Sequence, residues 1–176
     1  MRQNLELRSR FKDELQSKTL LMLTTSEKEQ FECQTPPFGE EVAKNFPSAS
    51  DDLKEASRCL ALERYTACVY HLMCAFASPL AVLAKHFGVT MSAEWDTWGQ
   101  ILTDIENKIR AMPHTTPTEK TDQQYYSQLA AQFWLIKDAH RNPVMHGRGR
   151  CGHEEAVQIW NGTEVFMQKL AERLHE

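Results

Sequence analysis

The sequence predicts an all-helical chain, and three observations carry that prediction. Glycine is scarce, at seven in 176 residues. No stretch alternates apolar and polar residues cleanly, and apolar side chains return repeatedly at spacings of three and four. Connections of a few to about ten residues favour neighbouring helices that run up and down. The predicted architecture is an antiparallel up-and-down bundle of four to five helices over residues 51–176, with an N-terminal arm over residues 1–50.

In the arm, Leu7, Phe11 and Leu15 fall four apart and predict a short amphipathic helix, while TPPFG at 35–39 and FPSAS at 46–50 predict an irregular linker. The bundle opens after Ser50, read as an N-cap, with Asp51 and Asp52 favourable against the helix dipole and Leu53, Ala56 and Leu60 on one face. A longer helix follows, in which Val69, Met73, Phe76, Leu80, Leu83 and Phe87 form a core stripe that Gly88 ends. Pro79 should kink it. Trp98, Ile101, Ile105, Ile109 and Met112 make a third stripe, stopped at Pro113 and followed by the polar loop HTTPTEK. The next helix is expected from about Asp122 to Arg141, burying Tyr125, Leu129, Phe133 and Ile136; the last opens at GHEEA and buries Ala156, Ile159, Phe166, Leu170 and Leu174.

Composition narrows the function. With 41% hydrophobic and 25% charged residues the chain has material for a real core. Five cysteines with no CxxC pair argue against a disulfide framework and for reduced, packed thiols. No run approaches the ~18–20 apolar residues of a membrane span, and MRQNLELRSRFKDEL has no signal-peptide stretch, so no membrane partner and a cytoplasmic location are expected. A net charge of −4 argues against coating nucleic acid by global electrostatics. Residues 137–153 nevertheless hold Lys137, Arg141, Arg148 and Arg150 against Asp138 alone, net +3, which leaves room for one local anion site. P-loop, GxGxxG, GxSxG and HExxH signatures are missing, and so is the support they would lend to nucleotide hydrolase, dehydrogenase or protease readings.

The chemistry-bearing segment is AHRNPVMHGRGRCGHE, residues 139–154. Asn142 and Pro143 are the residue pair that suits an N-cap and first helical position, which would place Asn142 and His146 on one face beside Arg141. An arginine, an amide and an imidazole beside a helix N-terminus suit a phosphate: arginine pairs bidentately with anionic oxygens, and imidazole moves protons near neutrality. Arg148, Arg150 and His140 are the candidate phosphate or RNA contacts around them. A zinc site from His140, His146, Cys151 and His153 matches no compact ligand pattern and would have arginines raising the local positive charge, so no metal is expected. His71, beside Tyr70 and Leu72, reads as a packed, hydrogen-bonded histidine, and Trp95, Trp98, Trp134 and Trp160 as core or interface residues.

RNPVMH also matches the RNxxxH form of an arginine and a histidine separated by four to six residues, the motif of HEPN domains. DLKEASRCLALERYTACVYHLM, WDTWGQILTDIENKI and QFWLIKDAHRNPVMHG resemble stretches of bacterial HEPN-type proteins in the same order, over about residues 50–176, and FGEEVAKNFPSAS resembles the arm of relatives that carry one. The spacing occurs three times, in Arg141/His146, Arg148/His153 and Arg64/His71; only the first has asparagine after the arginine and lies at the end of the penultimate helix. On the second helix, where relatives often carry arginine and, three residues on, glutamate, this chain has Cys74 and Ala77. The resemblance implies a metal-independent endoribonuclease without a cofactor, cleaving RNA by 2′-OH attack to leave a 2′,3′-cyclic phosphate, in a toxin-antitoxin or phage-defence setting. It implies Arg141, Asn142 and His146 as catalytic residues, a homodimer that joins two copies of the motif in one cleft, and an antitoxin or defence-complex protein as partner. The alternative is a noncatalytic module that uses the same bundle to bind a protein or a nucleic-acid or nucleotide phosphate.

Overall fold

The computed structural model describes residues 2–18, 21–90, 97–147 and 149–176. All regular structure among them is helical: α1 Arg2–Gln16, α2 Thr25–Glu32, α3 Glu40–Asn45, α4 Ser50–Ala61, α5 Tyr65–Ala75, α6 Ala77–His86, α7 Trp98–Arg110, α8 Pro117–Ile136, α9 Asn142–Met145 and α10 His153–Ala171. A 3₁₀ turn, Pro47–Ala49, leads into α4, and a π turn, Lys137–Arg141, joins α8 to α9.

Local chemistry explains several boundaries. Three helices begin with a Thr whose hydroxyl accepts the amide of the residue three on, while that residue's side chain returns to the Thr amide: Thr24/Glu27, Thr97/Gln100 and Thr116/Glu119. The last corrects the sequence reading, because HTTPTEK is no loop beyond Thr116. With Pro117 preset at the first helical position, α8 starts five residues before Asp122. Ser50 is likewise corrected: at φ −61° and ψ −38° it is already helical, continuing the 3₁₀ turn. Pro79 does more than kink its helix. Its ring crowds the carbonyl four residues back, on Ala75, and there the helix divides into α5 and α6. Gly88 ends α6 at φ +63°, as expected.

The core runs through α4–α8 and α10, with fully buried Leu72, Met73, Leu80, Leu83, Leu102, Ile105, Leu129 and Met167. At its centre Phe133 lies edge-on to Phe166 at 5.0 Å and to Phe76 at 5.9 Å. The arm carries α2 beyond its expected first helix and α3 between the two stretches read as irregular linker, and Phe38, Val42, Phe46 and Ala49 are buried in the same core. Ser57 donates to the Gln30 carbonyl at 2.8 Å to hold α2 on α4, and the Asn45 amide donates to the Ala171 carbonyl at 2.8 Å to hold α3 on α10. By length and composition Tyr65–His86 is apolar enough to cross a membrane, contrary to the sequence reading; here Cys68, Val69, Leu72, Leu80 and Leu83 from it are core. All five cysteines are free thiols.

Candidate functional site

The segment after Ile136 does not restart as a new helix. Pro143 has no amide hydrogen and crowds the carbonyl of Ala139, and the chain meets this with the π turn, in which the Asn142 amide reaches back five residues to the Lys137 carbonyl. Asn142 is therefore helical, at φ −60° and ψ −47°, and is not an N-cap. The helix N-terminus expected beside the phosphate is absent for the same reason, since the Asn142 amide already has its acceptor. The Asn142 side chain donates to Asp138 Oδ1 at 3.3 Å. Asp138 also pairs with Lys137, whose Nζ lies 4.7 Å from the centroid of the Trp134 ring.

Arg141 turns toward α7. Its guanidinium carbon stands 4.7 Å from the ring centroid of Trp98, the first residue of that helix, and Trp98 is itself backed by Phe133 at 6.1 Å. Burial lowers the Arg141 pKa, with nearby Cys74 opposing, yet a guanidinium stays charged throughout the working pH range. Arg141 makes no ion pair among the described residues. Cys74 lies within electrostatic reach of both Asp52 and Arg141; burial pushes its thiol up, Asp52 adds to that, and Tyr70 and Arg141 oppose it. Cys74, at the place where the proteins that this chain resembles often carry arginine, thus lies within electrostatic reach of Arg141. Desolvating a cation without neutralising it is costly, and an anion delivered by a ligand offsets that cost.

His146 closes α9. Its amide returns to the Asn142 carbonyl at 3.2 Å, its side chain is exposed, and Gly147 follows at φ +66°. The chain then folds back, with the Gly149 amide donating to the Pro143 carbonyl at 3.0 Å and the Cys151 amide to Thr66 Oγ1 at 3.0 Å. Gly147→Ala forces a side chain into the left-handed region and is expected to cost about 1–2 kcal/mol in thermal melting. Gly162→Ala, in mid-helix with open space around it, is expected to stabilise by about 0.5–1 kcal/mol.

His140 goes elsewhere. It faces α10 in a cleft with Glu155 and Ile159, apart from the Arg141–Trp98 stack, and the exposed Arg150 lines a smaller recess beside it. Arg148 and Trp95 lie outside the described residues. Burial lowers the His140 pKa from its ordinary 6.5, with Glu155 opposing. Between the lowered value and 6.5 the unfolded chain binds more protons, so this group's contribution to stability falls as pH drops through 6.5 and levels off below the folded value. Urea unfolding at pH 7.5 and 5.5 should show a smaller acid loss in His140→Gln than in the parent.

His71 is the hydrogen-bonded histidine that the sequence suggests, its Nδ1 2.8 Å from Asp52 Oδ1. Among the described residues, no three His, Cys, Asp or Glu side chains gather closely enough to hold a metal ion. Sequence reasoning missed the Trp98 platform; the one available signal was its place in a helix's first turn, where a side chain can reach past the helix end. Comparison with protein-family models, curated proteins and solved structures finds no match to this chain.

Proposed function

We propose that the chain is a metal-independent endoribonuclease of the HEPN type. The observation that carries this reading is the Arg141 guanidinium held against Trp98 without an acidic partner among the described residues, five residues before the exposed His146. In the reaction His146 accepts the ribose 2′-OH proton as that oxygen attacks the adjacent phosphorus. Arg141 stabilises the charge that builds on the nonbridging oxygens, and Asn142 orients phosphate or imidazole after exchanging its bond to Asp138. The P–O5′ bond breaks, the departing oxygen takes a proton, and the products are a 2′,3′-cyclic phosphate and a 5′-OH.

A single imidazole serves one of the two proton transfers at a time, so a twofold homodimer supplies the second copy of the motif. The exposed Arg150 adds a phosphate contact, and Arg148, outside the described residues, is a second candidate for one. In this reading residues 51–176 form an antiparallel up-and-down bundle, the protein acts in the cytoplasm in a toxin-antitoxin or phage-defence setting, and an antitoxin or defence-complex protein restrains it. Incubation of RNA with the full chain in EDTA tests the proposal. Cleavage that requires Arg141 and His146 supports it; a chain that cuts no RNA tested gives way to the noncatalytic phosphate- or protein-binding module.

A further inference from the structure

Between α8 and α10 lies a cleft of about 450 Å³, inside the range of ~300–1,000 Å³ usual for small-molecule sites. Its floor is apolar, with Ile136 from α8 and Ile159 and Phe166 from α10. Glu155, Ile159, Gly162 and Phe166 recur at spacings of three and four, so one face of α10 forms that wall. At Gly162 nothing stands within 4 Å of where a Cβ would lie, which keeps the wall open.

One end of the cleft is polar. Glu155 from α10 and His140 from the π turn line it there, and both also line the smaller recess beyond, together with the exposed Arg150. Neither Glu155 nor Arg150 makes an ion pair among the described residues. The Glu155 carboxylate offers acceptors only, whereas His140, kept neutral at pH 7 by its burial, offers one donor and one acceptor. The complementary ligand has flat apolar faces, adjacent N–H donors on one edge for Glu155 and an anionic group for Arg150. A nucleotide has all three features, and the carboxylate selects among the bases. Guanine alone of the four RNA bases sets two N–H donors side by side, at N1 and N2. Adenine and cytosine place their amino group beside an acceptor, and uracil places its N–H between two carbonyl oxygens.

We infer that the α8–α10 cleft holds a guanine of the RNA strand, read by Glu155 at N1–H and N2–H, with Arg150 on a neighbouring phosphate. Ile136 and Ile159 cover the ring, and the His140 imidazole has a donor to offer O6, the acceptor next to N1. His140 and Arg141 are neighbours in the π turn, one at the cleft and the other on Trp98, so a strand that meets Arg141 crosses only that turn to reach the cleft. The base held there fixes which phosphate Arg141 meets. RNA as the source of the base rests on the nuclease reading; binding is what is measured, so the pocket and the nuclease can fail separately.

The test is fluorescence anisotropy of the full chain with labelled 2′-O-methyl pentanucleotides, whose blocked 2′ oxygens cannot attack. An oligomer with one central guanine among adenines is expected to bind at least about tenfold more tightly than the all-adenine oligomer, the discrimination of a bidentate base contact. Hypoxanthine in place of the guanine deletes the N2 donor and should bind between the two. Glu155→Gln turns one acceptor into a donor and should erase the guanine preference while all-adenine binding stays. Gly162→Trp, which fills the cleft, should do the same; the exposed Glu155→Gln keeps the test decisive should the tryptophan variant lose its helical circular dichroism. Equal binding of the guanine and all-adenine oligomers by wild type, or a guanine preference that survives Glu155→Gln, overturns the inference. A guanine preference in a chain that cuts no RNA keeps the pocket and removes the nuclease reading; cleavage without the preference does the reverse.

Discussion

Replacing His146 with alanine is expected to cut RNA cleavage by about 10²–10⁴ while the helical spectrum stays unchanged, because an acid–base group is lost from an exposed helix end where truncation removes little packing. Arg141→Ala should lose activity by removing the charge that opposes the pentavalent phosphate, and Arg141→Lys should recover part of it. A lysine restores the charge but neither the fork nor the flat stack on Trp98. His153→Ala is the internal control: His153 belongs to the rival pair with Arg148, opens α10 and lies edge-on to Tyr65 at 5.3 Å. That variant should keep most activity. An inactive His153→Ala beside an active His146→Ala would move the site to the other copy of the motif.

Phe133→Ala is expected to be the most damaging packing change near the site. The ring is fully buried, touches Phe76 and Phe166, and backs the tryptophan on which Arg141 lies. Truncating a buried phenylalanine costs about 3–5 kcal/mol through lost burial and an unfilled cavity, a large part of the ~5–15 kcal/mol that holds a domain folded. Asn107→Ala, on an exposed position of α7, should stay within about 0.5 kcal/mol. Denaturant unfolding of the pair checks this; a Phe133→Ala cost below about 1 kcal/mol would contradict the aromatic centre described above.

The stripes that the sequence displays as period-three-and-four spacing are the stripes the fold buries: Val69 and Met73, Ile101 and Ile105, Leu129 and Phe133, Phe166 and Leu170. Periodicity reports one-sided burial, so it locates helices well and their ends poorly. The start of α8 is written in Thr116, Pro117 and Glu119, yet the same threonines and prolines also spell a loop, and the reciprocal Thr116–Glu119 bonds decide between the two. Phe38, Val42 and Phe46 do fall four apart, but the prolines and the glycine around them spell a linker, and only the packed structure shows the three as core. Asn161-Gly162, a hairpin signal in a strand-forming chain, lies inside α10 because the stripe around it overrides a two-residue preference.

At the site the residue types were legible and their directions were not. By type and spacing Arg141, Asn142 and His146 are the residues on which the proposed phosphate chemistry rests. The π turn answers Pro143, a residue that suits a fresh helix start equally well, and it decides that Asn142 is not a cap, that His140 meets α10 and that Arg141 meets α7. Trp98 lies 43 residues before Arg141 in the chain, a pairing only the packed structure reveals.

The measurement that bears most directly on the central claim is the chemistry of the cut ends. RNA cleaved by the full chain in EDTA should carry a 2′,3′-cyclic phosphate on the upstream fragment and a 5′-OH on the downstream one, read by resistance of the upstream end to phosphatase until acid opens the ring. Fragments with a 3′-OH and a 5′-phosphate would contradict attack by the ribose 2′-OH, and with it the roles given to His146 and Arg141.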